Sequence, residues 1–236
     1  FTGRVNMEHW IYNTNILGHA VSLNLDTIFT MWFAMAVVII FALLATRNLS
    51  LVPGKLQAIS ESIMKFFYGT LDTMIETENR KHVPLVASLF LFIVTANLMG
   101  QLPLRLNHLK HGGELASPTN DINLTASMAV IVLIYYVTMG IKAKGKNFLI
   151  HDLSFTGIVM ALVEVLEMFT RPLSLAIRLF ANIFAGEILV SIALGAMAYF
   201  LPLPIMLFEI LVAFIQATVF MMLTIAYIGS AVKEEH

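Results

Sequence analysis

Apolar residues gather into long uninterrupted stretches, each closed by a charge or a proline. The first runs from 27 to 46 and stops at Arg47. A second covers 84 to 103 and ends at Pro103, and a third covers 122 to 142 and ends at Lys142. Each is long enough to cross a hydrocarbon layer of about 30 Å as a helix. Backbone groups must satisfy one another there, so helix is the expected form. Between the first two, residues 52 to 80 follow a different rule. Leu56, Ile59, Ile63, Phe66, Phe67, Leu71, Met74 and Ile75 fall on one helical stripe, with Lys55, Glu61, Lys65 and Asp72 elsewhere. That pattern predicts an amphipathic helix on the membrane surface or against a partner, with a soluble hairpin helix as the alternative. The longest stretch, 155 to 200, holds Pro172, Gly186 and Gly195 but no cluster of turn residues. At 1.5 Å per residue it would run roughly 65 to 70 Å, about twice a bilayer core. It is expected to cross obliquely, bent at Pro172. Pro202 and Pro204 mark a reversal, and a last helix covers 204 to 231.

The expected fold is therefore an all-α integral membrane protein in one membrane domain. Five helices cross, one interfacial amphipathic helix lies beside them, and the last two form a long oblique hairpin. Residues 1 to 26 form an outer N-terminal segment, polar throughout and without an apolar signal-peptide core, so no cleaved leader is expected.

Composition agrees. The chain is 58% apolar and 12% charged, against about 25% charged in soluble domains. A net charge of -1 gives no basic face for nucleic acid. No cysteine is present, which excludes disulfides and thiol chemistry. The seven histidines are scattered and make no ligand pair on a helix face, so no metal or other cofactor is expected. Asn123-Leu-Thr125 fits a glycosylation pattern by chance. Basic residues collect between 47 and 83 (Arg47, Lys55, Lys65, Arg80, Lys81) and at Lys142, Lys144 and Lys146. By the positive-inside rule the N-terminus lies outside and the C-terminus in the cytoplasm, a parity that five crossings satisfy. No internal repeat points to a carrier built from inverted halves.

The last two helices carry charges where few are tolerated: Glu164, Glu167, Arg171, Arg178, Glu187 and Glu209. Each costs about 2.5 to 3.5 kcal/mol near the centre of a span, so these groups should face protein, water or one another. Pairing between helices is the plain structural explanation for any one of them. As a set they make a pattern. At about 100° per residue, Glu164, Glu167, Arg171, Ser174 and Asn182 fall within about 40° of Arg178. Glu167 can pair with Arg171 at i, i+4. Arg178 has only Ser174, Leu175, Ala181 and Asn182 three and four positions away. A buried arginine stays charged, so its countercharge must come from another element or another chain. In an antiparallel hairpin, facing residues keep a constant total of residue numbers. Arg178 with Gln216 and Glu187 with Glu209 give nearly the same total, so both pairs fall in one register. Gln216 can then hold the arginine without cancelling its charge. Glu187 and Glu209 make a carboxylate pair, suited to proton relay or sodium coordination, in which at least one proton is held more tightly.

The run from Arg171 to Glu187, RPLSLAIRLFANIFAGE, closely resembles the signature of subunit a of F-type ATP synthases. IQATVFMMLTIAYIGSAVKEEH from Ile215, PTNDINLT from Pro118 and TANLMGQLP from Thr95 resemble other segments of that family, in order along nearly the whole chain. The resemblance implies a stationary subunit beside a rotating ring of c subunits, with peripheral-stalk b subunits and other synthase subunits as partners. Because no presequence is read, a bacterial plasma membrane is the expected location, with a plastid as the alternative. It implies two offset half-channels that load and unload the ring carboxylates. Arg178 would attract the ionised ring carboxylate and keep the half-channels apart. Asn182 is the motif's asparagine one turn on. Glu187 and the position of Glu209 belong to the outer half-channel, Gln216 accompanies the arginine, and Glu164 lies near the cytoplasmic exit. Asn97 and Asp121 match polar positions near the outer channel. Ser174 shares the polar stripe. No GxxxxGK[ST] loop is present, so ATP chemistry would belong to other subunits. The alternatives are sodium as the coupling ion, a secondary carrier that binds an anion at Arg178, and a structural scaffold.

Overall fold

The computed structural model describes residues 11–16, 19–47, 49–75, 79–101, 117–144, 155–196 and 202–232. Among the described residues, six α-helices follow one two-stranded hairpin. The helices are α1 (Leu25–Thr46), α2 (Lys55–Met74), α3 (Val83–Gln101), α4 (Ile122–Lys144), α5 (Phe155–Ala196) and α6 (Pro202–Val232). All but α2 are long and apolar enough to cross a membrane. The chain is thus an all-α integral membrane protein, with one addition that the hydrophobic pattern did not predict. Strands β1 (Ile11–Ile16) and β2 (His19–Asn24) pair antiparallel just ahead of α1, with Ile11 opposite Asn24.

The amphipathic helix is shorter than its pattern, 20 residues instead of the whole of 52 to 80. Gln57 fixes its entry. The Ser50 backbone N–H donates to Gln57 Oε1 at 3.2 Å, and Gln57 Nε2 donates back to the Ser50 carbonyl at 3.0 Å. Phe67 and Leu71 are fully buried, and the Phe67 ring meets Phe90 of α3 edge-on at 5.5 Å. Leu56, Ile59 and Phe66 continue the same apolar arc but stay exposed. Half of that arc packs on protein and half faces outward. At its far end α2 lies against α6, where a Cβ on Gly229 would stand 3.2 Å from the Met74 carbonyl oxygen.

α3 packs chiefly on α6, and α4 packs on α5 and α6. Their shared core holds Phe90, Ile93, Val132, Tyr136, Leu179, Phe220 and Ile225, all buried. In lipid there is little hydrophobic force between helices, so close approach of small side chains matters more. α1 shows this well. It meets α3 through Ala34 against Ala96 and Met99, while Phe29, Trp32, Ile39 and Leu43 are exposed.

α5 continues unbroken through Pro172 for 42 residues, about 63 Å at helical rise. α6 begins at Pro202 rather than at Pro204. A proline in the first turn costs nothing there, because its missing N–H would have had no helical partner.

Candidate functional site

Two faces of α5 differ sharply. Pro172, Leu175, Ala176, Leu179 and Ile183 are buried, whereas Leu173, Ile177, Phe184 and Ile188 are exposed. Arg178 sits at the border and is itself exposed, with exposed Ser174 one turn before it and half-buried Asn182 one turn after. Among the described residues no carboxylate lies within 4.0 Å of its guanidinium. The i, i+4 pair that the sequence predicts is present, with Arg171 Nη2 donating to Glu167 Oε2.

Gln216 does not hold Arg178. It lies on the face of α6 that also carries Ala213, Ala217 and Phe220, and it is only 6% exposed. Its Nε2 makes no hydrogen bond among the described residues. A constant total of residue numbers fixes height along a hairpin but not rotation. Here α6 turns Gln216 inward, whereas α5 turns Arg178 outward.

Glu209 is buried as well, at 7% exposure. It abuts Gly186 of α5: a Cβ there would come within 2.7 Å of Glu209 Oε1. The missing side chain makes the slot in which the carboxylate lies. Glu187 follows in sequence, one position from that slot. The side chains of Glu187 and Glu164 lie outside the described residues.

A second polar cluster joins α3 to the turn before α4. The fully buried Thr119 hydroxyl donates to Oδ1 of fully buried Asn97 at 2.7 Å. Ser117 Oγ donates to the Ala96 carbonyl at 3.0 Å and lies 2.6 Å from Thr119 Oγ1. Asn97 Nδ2 is buried with no hydrogen bond among the described residues. Asp121 works differently from Asn97. Its Oδ1 accepts the Asn123 backbone N–H at 2.9 Å and the Asn123 side-chain amide at 2.9 Å, which caps the start of α4. Ser117 and Thr119 escaped the sequence reading because a hydroxyl in a loop is unremarkable until the fold buries it.

Heights can be compared through aromatic contacts. Phe90 of α3 meets Phe214 of α6 edge-on at 5.8 Å. Counting from that contact along antiparallel helices places Asn97 and Glu209 within about one turn of each other. Arg178 lies roughly 12 Å along α5 from the Gly186 slot.

A family profile described as "ATP synthase A chain" matches residues 28–229. The chain belongs to the ATP synthase subunit a family. It is 41% identical over 215 residues to ATP synthase subunit a of Gloeobacter violaceus, which covers 91% of this chain and 86% of that one. It is 36% identical over 231 residues to the chloroplastic subunit a of Stigeoclonium helveticum, covering 97% and 92%. The chloroplastic subunit a of Oedogonium cardiacum is 38% identical over 213 residues, covering 89% and 84%. The stretch that matches the ATP synthase A chain family takes in every candidate residue from Asn97 to Gln216.

Proposed function

We propose that the chain is the ion-translocating stator subunit of an ATP synthase membrane sector, with Arg178 as the electrostatic divider between two half-channels. One observation carries this reading. A guanidinium stands exposed near the middle of a membrane-crossing helix, with no carboxylate in reach among the described residues. Arginine remains protonated under such conditions, and an uncompensated charge at membrane depth is costly. A carboxylate on a neighbouring chain removes that cost. The apolar residues flanking Arg178 on the exposed face, Leu173, Ile177 and Phe184, give such a neighbour a surface to pass over. In the proposed arrangement that neighbour is the rotating c ring, with the peripheral-stalk b subunits holding this chain still.

On one side, buried Glu209, the Gly186 slot, Glu187 and Asn97 make the outer half-channel. On the other, Ser174 and Glu164 lead to the cytoplasm. The basic loops around Lys81 and Lys142 face the cytoplasm by the positive-inside rule. The coupling ion is a proton, for which a carboxylate relay suffices. Each charge crossing 100 mV yields about 2.3 kcal/mol, so several must pass for each ATP.

The test is Arg178→Ala in membranes carrying the whole complex. Ion-driven ATP synthesis and ATP-driven proton pumping should both be lost. Full coupling in that variant would overturn the reading, and loss of anion uptake alone would favour a carrier. Sodium stimulation of ATPase activity at high pH would replace the proton as coupling ion.

A further inference from the structure

Seven positions before Arg178, Arg171 is held by three groups on two helices. Its guanidinium pairs with Glu167 of α5, donates through Nη1 to Ser230 Oγ of α6 at 3.1 Å, and lies 5.2 Å from the centre of the Tyr227 ring. The donor count is consistent, because the Ser230 hydroxyl gives its own hydrogen to the Tyr227 carbonyl at 2.9 Å and can accept from arginine. Tyr227 passes the contact on to α4, where its ring lies 6.4 Å from that of buried Tyr136. Two helices thus meet at one cation, and a ring contact carries the cluster on to a third.

Arg171 and Arg178 share an edge of α5, about 20° apart in rotation and roughly 10 Å apart in height. Beyond this cluster, α5 buries small residues such as Ala176, and α6 buries Ala213 and Ala217. Packing of these and of larger apolar side chains such as Leu175, Leu179 and Phe220 is non-directional, and the Arg171 cluster adds directional bonds between α5 and α6. The planar five-donor fork of arginine can meet a carboxylate, a hydroxyl and a ring face at once, which an ammonium cannot do with the same geometry.

We propose that Arg171 is a positioning residue: by clamping α5 to Tyr227 and Ser230 of α6, it fixes the rotation and height at which Arg178 meets the carboxylates of the ring. The proposal rests on the stator reading above.

Complexes in native membranes carrying Arg171→Gln, Arg171→Lys, Tyr227→Leu, and Arg171→Gln with Tyr227→Leu test it. Proton pumping is measured per assembled complex, with the amount of this subunit quantified by immunoblot. Arg171→Gln should lower pumping per assembled complex by roughly tenfold, about 1.4 kcal/mol of barrier. Arg171→Lys should recover only part of it, since the charge survives but the planar fork that reaches all three groups does not. The double variant should be no worse than the poorer single one, because both remove the same clamp. A fall in assembly with unchanged pumping per complex would reduce Arg171 to a fold-stabilising role and overturn the proposal, as would losses that simply multiply. If Arg178→Ala abolishes coupling and Arg171→Gln leaves it intact, the clamp fails alone. If Arg178→Ala is harmless, the underlying reading fails with it.

Discussion

Gln216 keeps a buried amide nitrogen without a hydrogen bond among the described residues, an arrangement that costs about 1–3 kcal/mol. Replacing it by leucine removes that cost while nearly preserving volume. Gln216→Leu should therefore leave the amount of subunit in the membrane unchanged or slightly higher, and yet lower ATP synthesis if the amide swings toward Arg178 during turnover. Equal synthesis per complex in the variant would make Gln216 a packing residue only. Gly186 supplies the opposite case, a position whose value is what it lacks. Alanine there would push the Glu209 carboxylate out of its slot, and overpacking of this kind costs about 1–3 kcal/mol. Because the clash is with the far end of a flexible side chain, assembly should survive. Pumping per complex in Gly186→Ala should drop by roughly tenfold, and wild-type pumping would show that the carboxylate position does not matter.

Elements were legible in the sequence where one physical rule governed them. The long apolar runs became α1, α3, α4, α5 and α6, since a backbone in lipid has no alternative to the helix. The stripe from Leu56 to Met74 became α2, since a 3.6-residue period has no other cause. What stayed hidden depended on rotation and on small groups. α6 is apolar nearly all round, so its sequence could not say that Gln216 turns toward the buried side. The residues from Ile11 to Asn24 alternate only weakly between apolar and polar types, so the pattern reads only as a polar segment. Glu209 was legible as a charge out of place, and the glycine that accommodates it was not. The junction of α3 with α4 makes a testable case. Thr119→Val removes the hydroxyl that donates to Asn97 Oδ1 and leaves a buried oxygen without that bond. It should destabilise the subunit by about 1–3 kcal/mol, read as a lower midpoint for thermal dissociation of the detergent-solubilised complex. Adding Asn97→Leu removes the orphaned group, so the double variant should be more stable than the sum of its parts predicts. Simple additivity would mean that the two side chains do not act as a pair.

At the scale of the molecule, the length of α5 sets a geometric constraint. Its candidate span, Leu166–Val190, is 25 residues long, about 37 Å at helical rise, and exposed Ile192 extends the apolar face further. A hydrocarbon layer of about 30 Å holds only about 20 residues of an upright helix. Keeping both Leu166 and Ile192 out of water requires a tilt of roughly 40°, at the upper end of what spanning helices show. An oblique α5 also spreads Ser174, Arg178 and Gly186 sideways as well as vertically. Two half-channels need that offset if an ion is to leave from a different place along the ring than where it entered. Electron cryomicroscopy of the whole complex in lipid nanodiscs measures the angle directly. The axis of α5 should lie about 40° or more from the membrane normal, with Arg178 near mid-depth and the Glu209 slot displaced laterally from Glu164. An axis within about 25° of the normal would put the polar groups in one vertical file, and a single continuous channel would then replace the offset pair.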